Sequence, residues 1–129
     1  MLKLGDVHPR IVIIDDDPDF LATVRLVLEG EGFVVVGEAL NGLDGVAAAT
    51  ELDPDLVLVD VNLPDIDGLE VVERLAQRDG SPPVVLTSIH AAHDFGNLVE
   101  RSRARGFITT ADVTGEALTR FLEGRAAPA

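Results

Sequence analysis

Cysteine, tryptophan and tyrosine are absent from these 129 residues, and lysine occurs once, as Lys3. Without cysteine there is no disulfide framework, no thiol catalysis and no thiolate metal site. Basic residues number 10 against 23 acidic ones, a formal charge of −13, which opposes a phosphate backbone and argues against nucleic-acid binding by this chain alone. No apolar run approaches the roughly 18 residues of a membrane span, and the opening MLKLGDVHPR lacks a sustained apolar core. A soluble, cytoplasmic protein is the expectation. Neither Gly-x-Gly-x-x-Gly after a strand nor Gly-Lys-Ser/Thr occurs, which leaves nucleotide sites of those types unsupported.

What is present is apolar matter in short, regular blocks. At 47% hydrophobic the chain can build one core, and residues 1–129 read as a single domain with its core at about 10–123. Arg10 to Ile14, Phe33 to Val36, Leu56 to Val59, Val84 to Ser88 and Gly106 to Thr109 read as strands. Asp17-Pro18 opens a first helix carrying Phe20, Leu21, Val24, Val27 and Leu28, and Asn41-Gly42 opens a second with Leu43, Val46, Ala47 and Leu52 inward. Asp67 with Glu70 has the form of a capping box for a third, and 91–104 reads as a fourth, interrupted at Gly96 and Asn97. Thr114 to Glu123 is the fifth, before a frayed GRAAPA tail. Five strands alternating with five helices predict an α/β, doubly wound parallel sheet with right-handed crossovers.

The stretch DLVLVDVNLPDIDG organises the rest. Asp60 ends an apolar strand, and in an open α/β sheet the carboxyl ends of the strands are where ligands bind. Ile11 to Ile14 likewise ends in Asp15, Asp16 and Asp17. Asp17 is read as the helix cap. Two buried strands with acidic ends make Asp15, Asp16 and Asp60 candidates for a metal or phosphoryl site, since hard divalent cations take oxygen ligands. Thr87, ending the neighbouring strand, offers a hydroxyl.

The blocks IVIIDDDP, DLVLVDVNLPDIDG, PPVVLTS and ARGFI resemble, in order and spacing, the signature blocks of the receiver domain of two-component response regulators. The resemblance implies a CheY-like, flavodoxin-like sheet of order 2-1-3-4-5. It implies Asp60 as phosphoacceptor and Mg²⁺ held by Asp15, Asp16, Asp60 and the Asn62 backbone carbonyl. Thr87 would be the switch hydroxyl and Phe107 the switch aromatic. A sensor histidine kinase or phosphotransfer protein would be the donor, and the fourth helix, fifth strand and fifth helix the output or homodimer surface.

One part departs from the family pattern. The lysine ending the fifth strand is replaced by Thr110 in GFITT. Lys3 precedes the first strand and Arg105 lies five residues from position 110, so neither is expected to reach the site. His90 and His93, on the loop after the fourth strand, are the nearby cation candidates; their spacing resembles a metal pair, but with no further ligand they read as surface. Arg101, Arg103 and Arg105 read as a solvated helix face. A phosphorylation-driven switch and a phosphate-independent binding module are therefore both open. The chain stops about six residues after the last helix. A stand-alone receiver is expected, or the receiver half of a DNA-binding transcriptional regulator if the gene continues past Ala129.

Overall fold

The computed structural model describes residues 8–126, with backbone only for 124–126; Lys3 and the end of the GRAAPA tail lie outside the described residues. Five strands form one parallel sheet in the order β2-β1-β3-β4-β5. They are β1 (Arg10–Ile14), β2 (Val34–Ala39), β3 (Leu56–Asp60), β4 (Val84–Ser88) and β5 (Gly106–Thr109). Ile11 to Ile14, Leu56 to Val59, Val85 and Leu86 have 0% exposure, because helices cover both faces of the three inner strands. Side chains alternate between the faces. Ile11, Ile13, Leu56, Leu58, Val85 and Ile108 pack on one side, and Val12, Ile14, Val57, Val59, Val84 and Leu86 on the other. Truncating one of these, such as Leu58, to alanine costs about 2–5 kcal/mol.

On the first face lie α1 (Pro18–Gly30), through Leu21, Val24 and Leu28, and α5 (Gly115–Ala126), through Ala117 and Leu118. On the second lie α2 (Gly42–Leu52) and α3 (Gly68–Ala76), the latter through Val71, Val72 and Leu75. The predicted stripe of α2 is corrected in part: Val46 and Leu52 pack against the core as expected, but Gly42, Gly45 and Ala49 are the buried residues, while Leu43 is 49% exposed and Ala47 faces solvent. Small residues suit this face because α2 approaches the Ile14 side chain closely at Gly45. Val27 of α1 is also exposed, and β2 continues past Val36 to Ala39.

The segment 91–104 is not one helix. A 3₁₀ turn, Ala92–Phe95, ends at Gly96 with φ of 62°, and the fourth helix, α4 (Leu98–Arg101), is a single turn. Glycine takes that left-handed backbone freely, so the turn closes there instead of propagating. The exit from β5 is also particular. After a 3₁₀ turn at Thr110–Asp112, the Gly115 N–H donates to Glu31 Oε1 at 2.7 Å. Since Glu31 follows the last residue of α1, α5 opens beside the far end of α1 and not at the strand ends that bear the carboxylates.

Candidate functional site

The parallel register brings the carboxyl ends of β1, β3 and β4 together. Ile14 pairs with Val59, and Asp60 with Thr87, so Asp15, Asp60 and Thr87 emerge side by side. Asp15 and Asp60 follow runs so apolar that their backbones are locked in the inner strands, and the carboxylates inherit the burial.

Asp15 is 3% exposed, and its Oδ1 accepts from the Asp17 N–H at 2.9 Å. Burial pushes its carboxyl up to about 7; the Asp17 hydrogen bond opposes the rise, and the charges of Asp60, Asp16 and Asp17 add to it. Asp60 is half-buried, and its Oδ1 accepts from the Asn62 N–H at 3.0 Å. Burial raises its pKa too; the Asn62 hydrogen bond opposes the rise, and the charge of Asp16 adds to it. Asp16 is exposed, and one oxygen from each of Asp15, Asp16 and Asp60 lies within 4.8 Å of the others. Asp17 caps α1, its Oδ1 accepting from the Asp19 N–H at 2.9 Å.

Three carboxylate oxygens at that separation suit one small hard cation. Oxygens bound at about 2.0–2.1 Å sit roughly 3–4 Å apart, so a modest contraction would bring the three to one such ion, and its charge would offset the burial that raises the Asp15 and Asp60 carboxyls. The fit is good.

Thr87 is 1% exposed, and its Oγ1 has no hydrogen-bond partner among the described residues. Such an orphan costs about 1–3 kcal/mol of desolvation, so a buried hydroxyl at a ligand edge points to a partner that comes and goes. Ser88 differs, since its Oγ accepts from the His90 N–H at 3.1 Å. Phe107 is half-buried on β5, paired with Leu86, and its ring stands 6.1 Å from that of Phe95 at 54°. Thr110 follows Thr109, which pairs with Ser88, and so stands at the same strand edge as the carboxylates. His93 lies 3.4 Å from Asp94 and is 85% exposed; neither it nor His90 belongs to the clustered ligand set. Arg105 is at the opposite edge, where its N–H bonds to the Val84 carbonyl and its Nη1 donates to the Phe121 carbonyl.

Two features of the β3–α3 loop escape a reading of the sequence. Asp65 accepts from the Gly42 and Leu43 N–H groups at 2.7 and 2.8 Å, stapling the loop to the start of α2. Although partial desolvation works the other way, those donors hold its carboxyl below the usual range. At Gly68 a Cβ would collide with the Asp60 carbonyl oxygen and approach Val61 Cα to 2.9 Å, so α3 can start directly against the strand that bears Asp60 only with glycine there. The Pro-Asp-x-Asp-Gly run signalled a turn, but nothing in it named α2 as Asp65's partner.

The response regulator receiver domain profile matches residues 11–118. The transcriptional regulatory protein PrrA of Mycobacterium tuberculosis is 37% identical over 93 residues, covering 72% of this chain and 40% of its own. The DNA-binding response regulator MtrA of Mycolicibacterium smegmatis is 42% identical over 87 residues, 66% of this chain and 37% of its own. The chain thus spans well under half the length of these relatives. Among solved structures, a two-component response regulator of the LuxR family from Aurantimonas sp. superposes with a TM-score of 0.83 at 27% identity, covering 92% of this chain and 87% of that one. Receiver domains of this kind bind Mg²⁺ at an acidic pocket and take part in phosphotransfer with histidine kinases or phosphotransfer proteins. With that match running from β1 into α5 and the sheet order agreeing, this chain belongs to the response regulator receiver domain family.

Proposed function

We propose that this chain is a signalling switch whose phosphoacceptor is Asp60, charged by a sensor histidine kinase or phosphotransfer protein. The observation that carries the reading is the orphaned Thr87 hydroxyl, buried in register with Asp60 and without a partner among the described residues. In the transfer, an Asp60 Oδ forms a bond to phosphorus as the bond to the donor's leaving atom breaks, and the leaving atom takes the electron pair. Asp60 must be ionised to attack, and burial opposes that. Asp15, Asp16, Asp60 and the Asn62 carbonyl would hold Mg²⁺, which when bound supplies the positive charge that keeps Asp60 ionised and neutralises the phosphoryl oxygens. The Asn62 N–H already orients Asp60. Once a phosphoryl group is on Asp60, the Thr87 hydroxyl donates to one of its oxygens and draws the start of the β4–α4 loop inward. The space this vacates lets Phe107 leave its contact with Phe95.

Thr110 favours a second reading, a receiver-like module that binds partners without phosphate. It offers a donor but no charge, and a missing electrostatic donor costs about 3–4 kcal/mol in a transition state. Slow phosphorylation is therefore the expected behaviour. We read residues 1–129 as one receiver domain, and the length of the named transcriptional regulators supports its being the receiver portion of such a protein. A cytoplasmic location follows from the proposed donors; among the described residues no helix is long and apolar enough to cross a membrane.

Mass spectrometry of the chain treated with acetyl phosphate and Mg²⁺ tests the assignment. A phosphoryl adduct in the wild type that disappears in Asp60→Asn and forms faster in Thr110→Lys supports the switch. An adduct seen only in Thr110→Lys favours the phosphate-independent module, and one that persists in Asp60→Asn removes Asp60 from the role.

A further inference from the structure

The amino-terminal edge of the sheet carries the charge that the carboxyl edge lacks. A cleft of about 360 Å³ opens there, lined by Gly80, Ser81, Pro82, Pro83, Arg103 and Arg105. Arg101 is helical as expected, but Arg103 and Arg105 do not lie on the helix face expected of them. α4 ends at Arg101, Ser102 is extended with ψ of 170°, and the Arg105 N–H is already bonded to the Val84 carbonyl at 2.7 Å. The irregular connection that follows α4 leads into β5, and both arginines line the one cleft.

Both guanidinium groups are weakly engaged. Arg103 Nε makes one long ion pair, 3.8 Å from Glu73, with side chains 64% and 44% exposed, and Arg105 donates to the neutral Phe121 carbonyl at 3.3 Å. Arg25 and Arg74 have closer acids: Arg25 lies 3.2 Å from both Glu29 and Glu38, and Arg74 is 2.9 Å from Glu70. The cleft's other wall is stiff, because Pro82 and Pro83 have fixed φ and Pro82 is buried.

We propose that this cleft binds an acidic peptide segment of a partner protein, with its carboxylates meeting Arg103 and Arg105. The planar guanidinium fork matches a carboxylate with two parallel hydrogen bonds. Over the rest of a surface with net charge −13, such a segment is repelled, which steers it to this edge. Thr87 stands four residues beyond Pro83 along β4, about 13 Å, so the peptide and a phosphodonor can be held together.

Fluorescence anisotropy with a fluorescein-labelled peptide alternating glutamate and serine tests this on the full chain. Saturable binding that weakens about tenfold in Arg103→Gln/Arg105→Gln, and is unchanged in Arg101→Gln, is the expected result. The single variant Arg103→Gln, exposed and outside the core, serves if the double variant melts early. Absent binding in the wild type, or undiminished binding in the variants, overturns the proposal. Displacement of the peptide by millimolar inorganic phosphate or AMP, with direct binding of those ions dependent on the same arginines, overturns it in favour of a small phosphate site.

Discussion

Asp60 and Thr87 are register partners at the ends of β3 and β4, and the Thr87 hydroxyl is fully buried with no hydrogen-bond partner among the described residues. Carrying that group costs stability in the unphosphorylated chain. Thr87→Val, which keeps the shape and removes the orphan, is expected to raise the unfolding free energy by about 1 kcal/mol in urea denaturation. The same variant should lose the change at Phe107 on phosphorylation. A clear loss of stability would mean that Thr87 has a partner in solution.

Stability without divalent cations should depend on pH through Asp15. Its carboxyl titrates at about 7 in the folded chain against 3.8 ordinarily, so the folded state binds the proton more tightly than the unfolded one. The stabilisation is complete below about pH 4 and is lost as pH rises through about 7, for an effect on the order of 2–4 kcal/mol. Denaturation in EDTA at pH 5 and pH 8 measures it. Asp15→Asn should flatten the difference, and a wild type more stable at pH 8 than at pH 5 contradicts it.

Mg²⁺ should offset that loss at neutral pH. At ten times its dissociation constant the ion stabilises by about 1.4 kcal/mol, provided it binds the folded chain alone. Asp16→Asn removes one of the three clustered oxygens, so it should weaken the shift and the NMR or calorimetric titration behind it. An unchanged titration in that variant would place the ion elsewhere.

Asp65→Ala should lower the urea midpoint without changing the slope, since two N–H groups at the start of α2 lose their acceptor while the core is untouched. The site loop loses its staple in the same step. A reduced Mg²⁺ affinity in this variant, whose side chain is outside the ligand set, is the companion expectation.

Gly106→Ala places a methyl against the Phe121 ring, the packing that seats α5 on β5. Overpacking of this kind costs about 1–3 kcal/mol, and Phe121→Leu should recover part of it in a double-mutant cycle. Additive losses would show that α5 moves away freely.

The sequence by itself determined whatever depends on near neighbours. Unbroken apolar runs such as Ile11 to Ile14 and Leu56 to Val59 can only be doubly covered strands, and their alternation with helical periods leaves a parallel sheet as the economical arrangement. The caps Asp17, Asn41 and Asp67 were legible because each bonds a backbone N–H two or three residues on. Placing Asp15, Asp16 and Asp60 at one edge followed from the strand order.

Tertiary structure decided what depends on residues far apart in the chain. Asp65 reaches α2 across 23 positions and Glu31 reaches Gly115 across 84, and no local pattern encodes which backbone donor a surface carboxylate will meet. The stripe of α2 was misread because the tight approach to β1 rewards small residues over the leucine that periodicity favours. The 91–104 segment broke because Gly96 turned left-handed, and Arg103 and Arg105, beyond the end of α4, line one cleft. Thr87's lack of a partner is the same kind of fact: a threonine is legible in sequence, but whether its hydroxyl is satisfied depends on every chain segment packed around it.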